Sequence, residues 1–213
     1  CLNDVTQFTN NSSIAAGTIV SYNWNFGDGN FSNLNSPSNA YSQSGNYNAT
    51  LIATSGFGCV DSIVHPVLIN ATPIADFGNT AACYGIASSF TDLSSISSGT
   101  ITNWFWNFGD GDTSLIQNPQ HLYDVPGTYT ALLTVTSANG CLDSISNTIT
   151  VNPTPIASFN FNNVCQGQNI DFLNTSYINA GTIDAYDWNF GDGNVSNLEN
   201  PSHTYATAGV YNL

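Results

Sequence analysis

The sequence predicts an all-β chain built from tandem two-sheet sandwiches, and three observations predict it. The hexapeptide Trp-Asn-Phe-Gly-Asp-Gly stands unchanged at Trp24–Gly29, Trp106–Gly111 and Trp188–Gly193, 82 residues apart both times. The residues around it alternate apolar and polar with the period of a strand, and no stretch keeps the period of a helix. Clusters of Gly, Pro, Asn, Asp and Ser interrupt the chain at strand-length intervals.

Self-similarity at a fixed period is a better guide to organisation than length. Aligned on the hexapeptide, the repeats match without a gap, starting at Cys1, Cys83 and Cys165. Cutting at each first strand gives repeats 1–72, 73–153 and 154–213. The first then lacks its first strand and the third is incomplete at its C-terminal end, as in a window from a longer chain. Uniform spacing favours a regular head-to-tail array over domains with separate tasks.

Within a repeat, Pro73–Asn79 and Pro155–Phe161 alternate and predict a first strand. A short turn holding Cys83 or Cys165 follows. The second strand carries Phe8, Phe90 or Phe172. A loop with Gly-Thr-Ile leads to the third strand, whose alternation places Tyr22, Trp24 and Phe26 on one face. Trp104, Trp106 and Phe108, and Tyr186, Trp188 and Phe190, are the matching sets. Asn23, Phe105 and Asp187 face the other way. Gly-Asp-Gly reverses the chain, both glycines being free to take φ > 0 and Asp28, Asp110 or Asp192 accepting turn amides. A Tyr at 41, 123 or 205 comes next, then Gly-x-Tyr at Gly45–Tyr47, Gly127–Tyr129 and Gly209–Tyr211. A Tyr opening a strand there suits the tyrosine corner of immunoglobulin-like sandwiches. Tyr129–Thr136 is a strand, a turn ends at Cys59 or Cys141, and Ser144–Asn152 is the last strand. About seven strands per repeat result.

Composition excludes several functions. The 213 residues include 14 Asp and Glu but no Lys or Arg, for a formal net charge of −14. Nucleic-acid phosphates and anionic lipid surfaces need cations that the chain does not have. Stability must come from burial, backbone pairing and crosslinks. No run approaches the roughly 20 apolar residues of a membrane helix.

The strings Trp106–Gly111, Asn118-Pro119-Gln120-His121-Leu122-Tyr123 and Gly127–Leu133 resemble the polycystic-kidney-disease (PKD) domain family. The third repeat matches through Asn200–Tyr205. The first departs at Ser36-Pro37-Ser38-Asn39-Ala40-Tyr41, so His is not essential to the fold. Gly140–Ser144 is similar to PKD repeats of giant surface proteins in Bacteroidota. The resemblance covers the whole chain. It implies immunoglobulin-like sandwiches, extracellular placement and roles in adhesion, spacing or substrate engagement, and it does not imply catalysis.

Cysteines at fixed positions in an extracellular β array read as a disulfide framework. Pairing within a repeat would join Cys1–Cys59 and Cys83–Cys141. In the sandwich order these cysteines lie at opposite ends of strands of about 23 Å, whereas disulfide Cα atoms lie within about 7 Å. A staple between repeats, Cys1–Cys141, is therefore favoured, with the within-repeat pairs as the alternative. Zinc lacks a Cys-x-x-Cys or Cys/His cluster.

Candidate chemistry is sparse. One Asp per repeat at Asp28, Asp110 and Asp192 makes no acid–base pair. Calcium at Asp110 and Asp112, or near Asp76, is the one cofactor in view, although no Asp-x-Asp-x-Asp-Gly loop exists. His121 and His203 adjoin a Tyr and suit packing. Trp24, Trp106 and Trp188, with Phe26, Phe108 and Phe190, read as core anchors. Phe31, Phe57 and Phe105 have no aromatic at matching positions, and a contact with a neighbouring chain is one use for them. Ser62 and Ser144, in Asp-Ser-Ile strings, resemble bacterial O-glycosylation sites. The expectation is a structural, non-enzymatic segment of a long secreted filament or stalk. Its partners would be neighbouring repeats and identical chains. The alternative is a glycan- or surface-binding accessory module.

Overall fold

A computed structural model describes residues 1–80 and 82–212. Among these residues there are strands and turns and no helix. The first repeat holds β1 (Val5–Gln7), β2 (Ile19–Asn25), β3 (Phe31–Ser32), β4 (Ser38–Ala40), β5 (Gly45–Ser55) and β6 (Val60–Ile69). The second holds β7 (Phe77–Asn79), β8 (Ala82–Cys83), β9 (Ser88–Asp92), β10 (Ile101–Asn107), β11 (Thr113–Ser114), β12 (Gln120–His121), β13 (Gly127–Ser137) and β14 (Leu142–Asn152). The third holds β15 (Phe159–Phe161), β16 (Asn169–Asn174), β17 (Trp188–Asn189), β18 (Val195–Ser196) and β19 (Ser202–Thr204).

By backbone contacts the chain divides into two compact units: Cys1–Asn79 with Ser89–Pro119 and Thr130–Asn147, and Thr80–Ser88 with Gln120–Tyr129 and Thr148–Leu213. In the first unit, β3-β2-β5-β6 form one antiparallel sheet, and β1 pairs with β4 in another. Alternation along β2 buries Trp24 and Phe26 and leaves Asn23 and Asn25 exposed. Trp24 pairs with Leu51 of β5, and the core of Trp24, Phe26, Tyr41, Leu51 and Ile69 closes around that pair. In the second repeat Trp106 stands opposite Leu133 in the same way. The repetition extends to irregularities: β2 and β10 both shift register near their starts, between Ile19 and Ser21 and between Ile101 and Asn103. Burying such Trp and Phe side chains is worth about 1.5–3 kcal/mol each.

In the second unit, the end of β14 pairs in parallel with β8, and β15-β16-β19 form a sheet of the third repeat. Phe172, Phe190 and Tyr205 are that repeat's core. Here β17 is reduced to Trp188–Asn189.

Two sequence expectations change. Cys83 lies on the short strand β8, not in a turn, because Tyr84 N–H continues the pairing by donating to Asn152 O (2.8 Å). The predicted first strands are continuous only at Phe77–Asn79 and Phe159–Phe161; ahead of them Ile74 and Ile156 make isolated bridges to Ser95 and Tyr177. Proline has no N–H to donate. The amides of Asp76 and Ser158 go to the side-chain oxygens of Ser94 and Ser176 instead of a carbonyl (3.1 and 3.0 Å).

Candidate functional site: the Gly-Asp-Gly turn and the cysteine joint

Each hexapeptide folds into the same set of side-chain-to-backbone hydrogen bonds. Asn25, Asn107 and Asn189 accept from the amides of Gly27, Gly109 and Gly191 at 2.9, 2.9 and 3.0 Å. Asp28, Asp110 and Asp192 accept, through Oδ1, from the amides of Asn30, Asp112 and Asn194 at 3.0, 3.1 and 3.0 Å. Two consecutive Asx turns thus pin the reversal. Upstream, the indole N–H of Trp24, Trp106 and Trp188 donates to the carbonyl ten residues on, at Leu34, Ile116 and Leu198 (3.1, 3.0 and 2.9 Å). The first glycine of each turn has positive φ and faces a neighbouring strand so closely that a Cβ would lie 2.8, 2.5 and 2.5 Å from a backbone oxygen, of Asn48, Thr130 and Asn212 respectively.

The second carboxylate oxygen of the motif Asp is also engaged. Asp28 Oδ2 accepts from Asn39 Nδ2 at 2.7 Å and Asn30 Nδ2 at 3.0 Å. Asp192 Oδ2 lies 2.7 Å from His203 Nε2 and accepts from Asn194 Nδ2 at 3.1 Å. For both groups burial pushes the pKa up, but these donors outweigh it and hold the carboxyl below its ordinary value. His203 stacks on Phe190 with ring centroids 4.3 Å apart. Asn39 and His203 therefore do the same work on different side chains. A carboxylate held ionised by fixed donors is suited to supporting a turn, not to carrying protons.

The corner tyrosines repeat as closely. Tyr47, Tyr129 and Tyr211 donate to carbonyls four residues upstream, at Gln43, Val125 and Thr207 (2.9, 2.7 and 2.9 Å). Each stacks or tilts against the preceding Tyr41, Tyr123 or Tyr205.

Asp110, Asp112 and His121 come together, one possible ligand atom of each lying within 4.8 Å of the others, whereas the other predicted positions stay separate. Asp110 and Asp112 are exposed in one turn, and Asp76 is exposed beside Ser94. His121 is buried edge-on to Tyr123. Ser62 and Ser144 are exposed. So are Phe31, Phe57 and Phe105. Asp92 is a residue that sequence reasoning passed over. It accepts from Trp104 Nε1 (2.6 Å), Gln117 Nε2 (3.0 Å) and Ser94 N (3.0 Å). Burial raises its pKa, and these donors overcome that to lower it. The available signal was alignment: Asn10 and Asn174 hold the same position and accept the amides of Ser12 and Ser176.

The cysteines make a joint between the first two repeats. Cys1 and Cys141 form a disulfide, with Cα atoms 5.6 Å apart. Leu2, beside Cys1, donates its amide to Asn70 O (2.9 Å), just past the end of β6, whereas Cys59 lies just before its start. Ten strand residues, about 30 Å, separate those ends. That distance is why Cys1 does not pair with Cys59, and with Cys141 bonded to Cys1 the Cys83–Cys141 pair of the within-repeat alternative does not form either. Cys141 is buried, and its amide donates to Ser137 Oγ (3.1 Å). Cys59, Cys83 and Cys165 are free thiols.

The model of the PKD domain family matches residues 1–68, 70–153 and 152–213. Pre-pro-metalloprotease PrtV of Vibrio cholerae is 33% identical over 129 residues, which is 59% of this chain and 14% of that protein. Collagenase ColA of Bacillus cereus is 42% identical over 60 residues, 28% of this chain and 6% of its own. Among solved structures, the PKD1 domain of Vibrio anguillarum Epp is 29% identical with TM-score 0.38, covering 40% of this chain and 99% of its own. The PKD1 domain of Vibrio cholerae PrtV is 35% identical with TM-score 0.35, covering 38% and 96%. The chain thus spans a small fraction of the curated relatives it matches.

Proposed function

Because the chain belongs to the PKD domain family, three members in tandem, we propose that it is a non-catalytic structural segment of an extracellular protein, a stiff spacer in a cell-surface filament or stalk. The observation that carries this reading is the Cys1–Cys141 bond, which ties one repeat to the next across a sequence separation of 140. A disulfide suits an oxidising compartment outside the cytosol. The metalloprotease and collagenase relatives share only 14% and 6% of their length with the chain, so their proteolysis is not carried over. The motif Asp, a carboxylate present in every repeat, supports a turn. The partners in this reading are neighbouring repeats and identical chains. A glycan platform would want exposed aromatics at matching positions, and Phe31, Phe57 and Phe105 have none.

The test is small-angle scattering of the chain with the disulfide intact and after Cys1→Ser. Stiffening predicts that the variant samples a broader set of end-to-end distances while its circular dichroism is unchanged. Identical distance distributions would remove the staple as a spacer device.

A further inference from the structure

The sheet β3-β2-β5-β6 of the first repeat has one face on the core and one turned outward. Leu51 is buried opposite Trp24 and marks the core face. By alternation Ile52, and with it Val64, Pro66 and Leu68 of β6, face outward. Phe31 stands opposite Asn25 on that outer face. Phe31, Ile52, Val64 and Leu68 are 66%, 40%, 53% and 63% exposed. Shifted by 82 residues, Phe31, Ile52, Val64, Pro66 and Leu68 become Thr113, Thr134, Ser146, Thr148 and Thr150. The same positions are thus apolar in one repeat and hydroxylic in the next. The first strand of a repeat packs on the opposite, core side: Phe77 of β7 lies 5.1 Å from Trp106. Such a strand neither covers nor creates the outer face.

Charge decides what can cover it. The chain has a formal net charge of −14 and no Lys or Arg, so two copies repel wherever their carboxylates meet. The acidic residues of the first repeat are Asp4, Asp28 and Asp61. Asp4 precedes β1, Asp28 lies in the turn between β2 and β3, and Asp61 stands opposite Ala53 on the core side. The outer face therefore carries no charge. A cationic partner would be drawn to the carboxylates elsewhere and finds nothing here. The same face of a second copy matches it, apolar on apolar, with no carboxylate brought against another. Pro66, opposite Asn48, has no N–H to offer an added strand, so the approach is face to face and not edge to edge.

We propose that the outer face of β3-β2-β5-β6 is a lateral contact between two copies of this chain, each giving the same face to the other about a two-fold axis. The inference rests on the reading of identical chains as partners and names the surface they use. The two sheets stack about 10 Å apart, and burial of the apolar side chains drives the contact. The patch spans about 14 Å across four strands and about 13 Å from Val64 to Leu68. That is small beside a standard interface of about 800 Å² per partner and places the contact among weak, reversible ones.

The experiment is sedimentation velocity of the intact chain at loadings from about 10 μM to about 1 mM, with the thiols of Cys59, Cys83 and Cys165 alkylated. A reversible monomer–dimer equilibrium is expected. It should tighten as NaCl screens the repulsion between anionic copies. Val64→Ser with Leu68→Thr installs the residues that β14 carries at the matching positions. This double variant should keep its circular dichroism and dimerise at least about tenfold more weakly. Ile52→Thr, made separately, should act in the same direction. Leu115→Ser, at an exposed position of the second repeat, should dimerise as the parent does. A monomer at every loading, a dimer that NaCl weakens, one that the face variants leave intact or Leu115→Ser weakens equally, or one that EDTA dissociates, the sign of a bridging divalent cation, each overturns the proposal. A monomer leaves the Cys1–Cys141 staple standing, and identical scattering from Cys1→Ser leaves this face standing, so the two readings fail separately.

Discussion

Replacing Gly109 or Gly111 with alanine separates two reasons for a glycine in one turn. Both have positive φ, +87° and +108°. Holding an L-residue in the left-handed region costs roughly 1–2 kcal/mol. At Gly111 that is the whole penalty, since a Cβ there meets nothing within 4 Å. At Gly109 the Cβ would also lie 2.5 Å from Thr130 O and 2.9 Å from Thr130 N. Those atoms belong to β13, which is paired with β10 and cannot retreat as a flexible side chain would. Overpacking adds about 1–3 kcal/mol. Gly109→Ala should therefore destabilise the second repeat by about 2–5 kcal/mol, against about 1–2 for Gly111→Ala. The entropy alanine removes from the unfolded chain is similar in both and cancels in the difference. At about 4–8 °C per kcal/mol for a domain of this size, calorimetry resolves the two. Hydrogen exchange should place the loss in β10 and β13. Equal destabilisation by the two substitutions would refute the close approach as the reason for the first glycine.

Reducing the Cys1–Cys141 bond should lower the denaturant midpoint of the first two repeats; the chain-entropy model gives about 5 kcal/mol for a loop of this length, and an unchanged midpoint would show that the joint is not a stabilising link. Asp28 and Asp92 have folded pKa values below their unfolded ones. Their contribution is present above about pH 4 and is lost as pH falls through the lower folded values. Acid unfolding followed by tryptophan fluorescence should begin in that window, and Asp92→Asn should flatten the acid limb. Burial raises the pKa of Tyr41 and of Tyr205, so the folded state holds their protons longer. That stability is present below about pH 10 and is lost as pH rises through the folded values, which an alkaline unfolding curve will show or contradict. Tyr129→Phe removes the corner bond to Val125 O and should cost about 1 kcal/mol by urea titration.

Alternation around Trp24, Trp106 and Trp188 placed the core strands, because a period of two fixes which side chains face inward whatever the partner strand is. Gly-Asp-Gly likewise announces its turn, since its hydrogen bonds run between residues two apart. The partners of Asp28 and Asp192 on the far oxygen were harder to see. Asn39 and His203 hold the same aligned position, 11 residues downstream, but differ in type, so identity does not mark them. Asp92 was hidden for a different reason: a single Asp where its equivalents are Asn looks like a solvated substitution until Trp104 and Gln117 converge on it. Proline at 73 and 155 read as the start of a strand, but the bonds that follow go to serine hydroxyls, and no periodicity encodes that exchange.

The tryptophan of each motif grips the chain ten residues later by a carbonyl and ignores the side chain it belongs to. Leu34, Ile116 and Leu198 all point their side chains into solvent. A mutation there alters the surface and leaves the anchor untouched. The same holds for the turn amides of Asn30, Asp112 and Asn194 received by the motif Asp, which any residue supplies except proline. An interior specified through main-chain atoms frees the exterior to diverge. Copies of such a module can drift apart in surface chemistry, one knob or loop at a time, while the interior that sets their fold stays fixed.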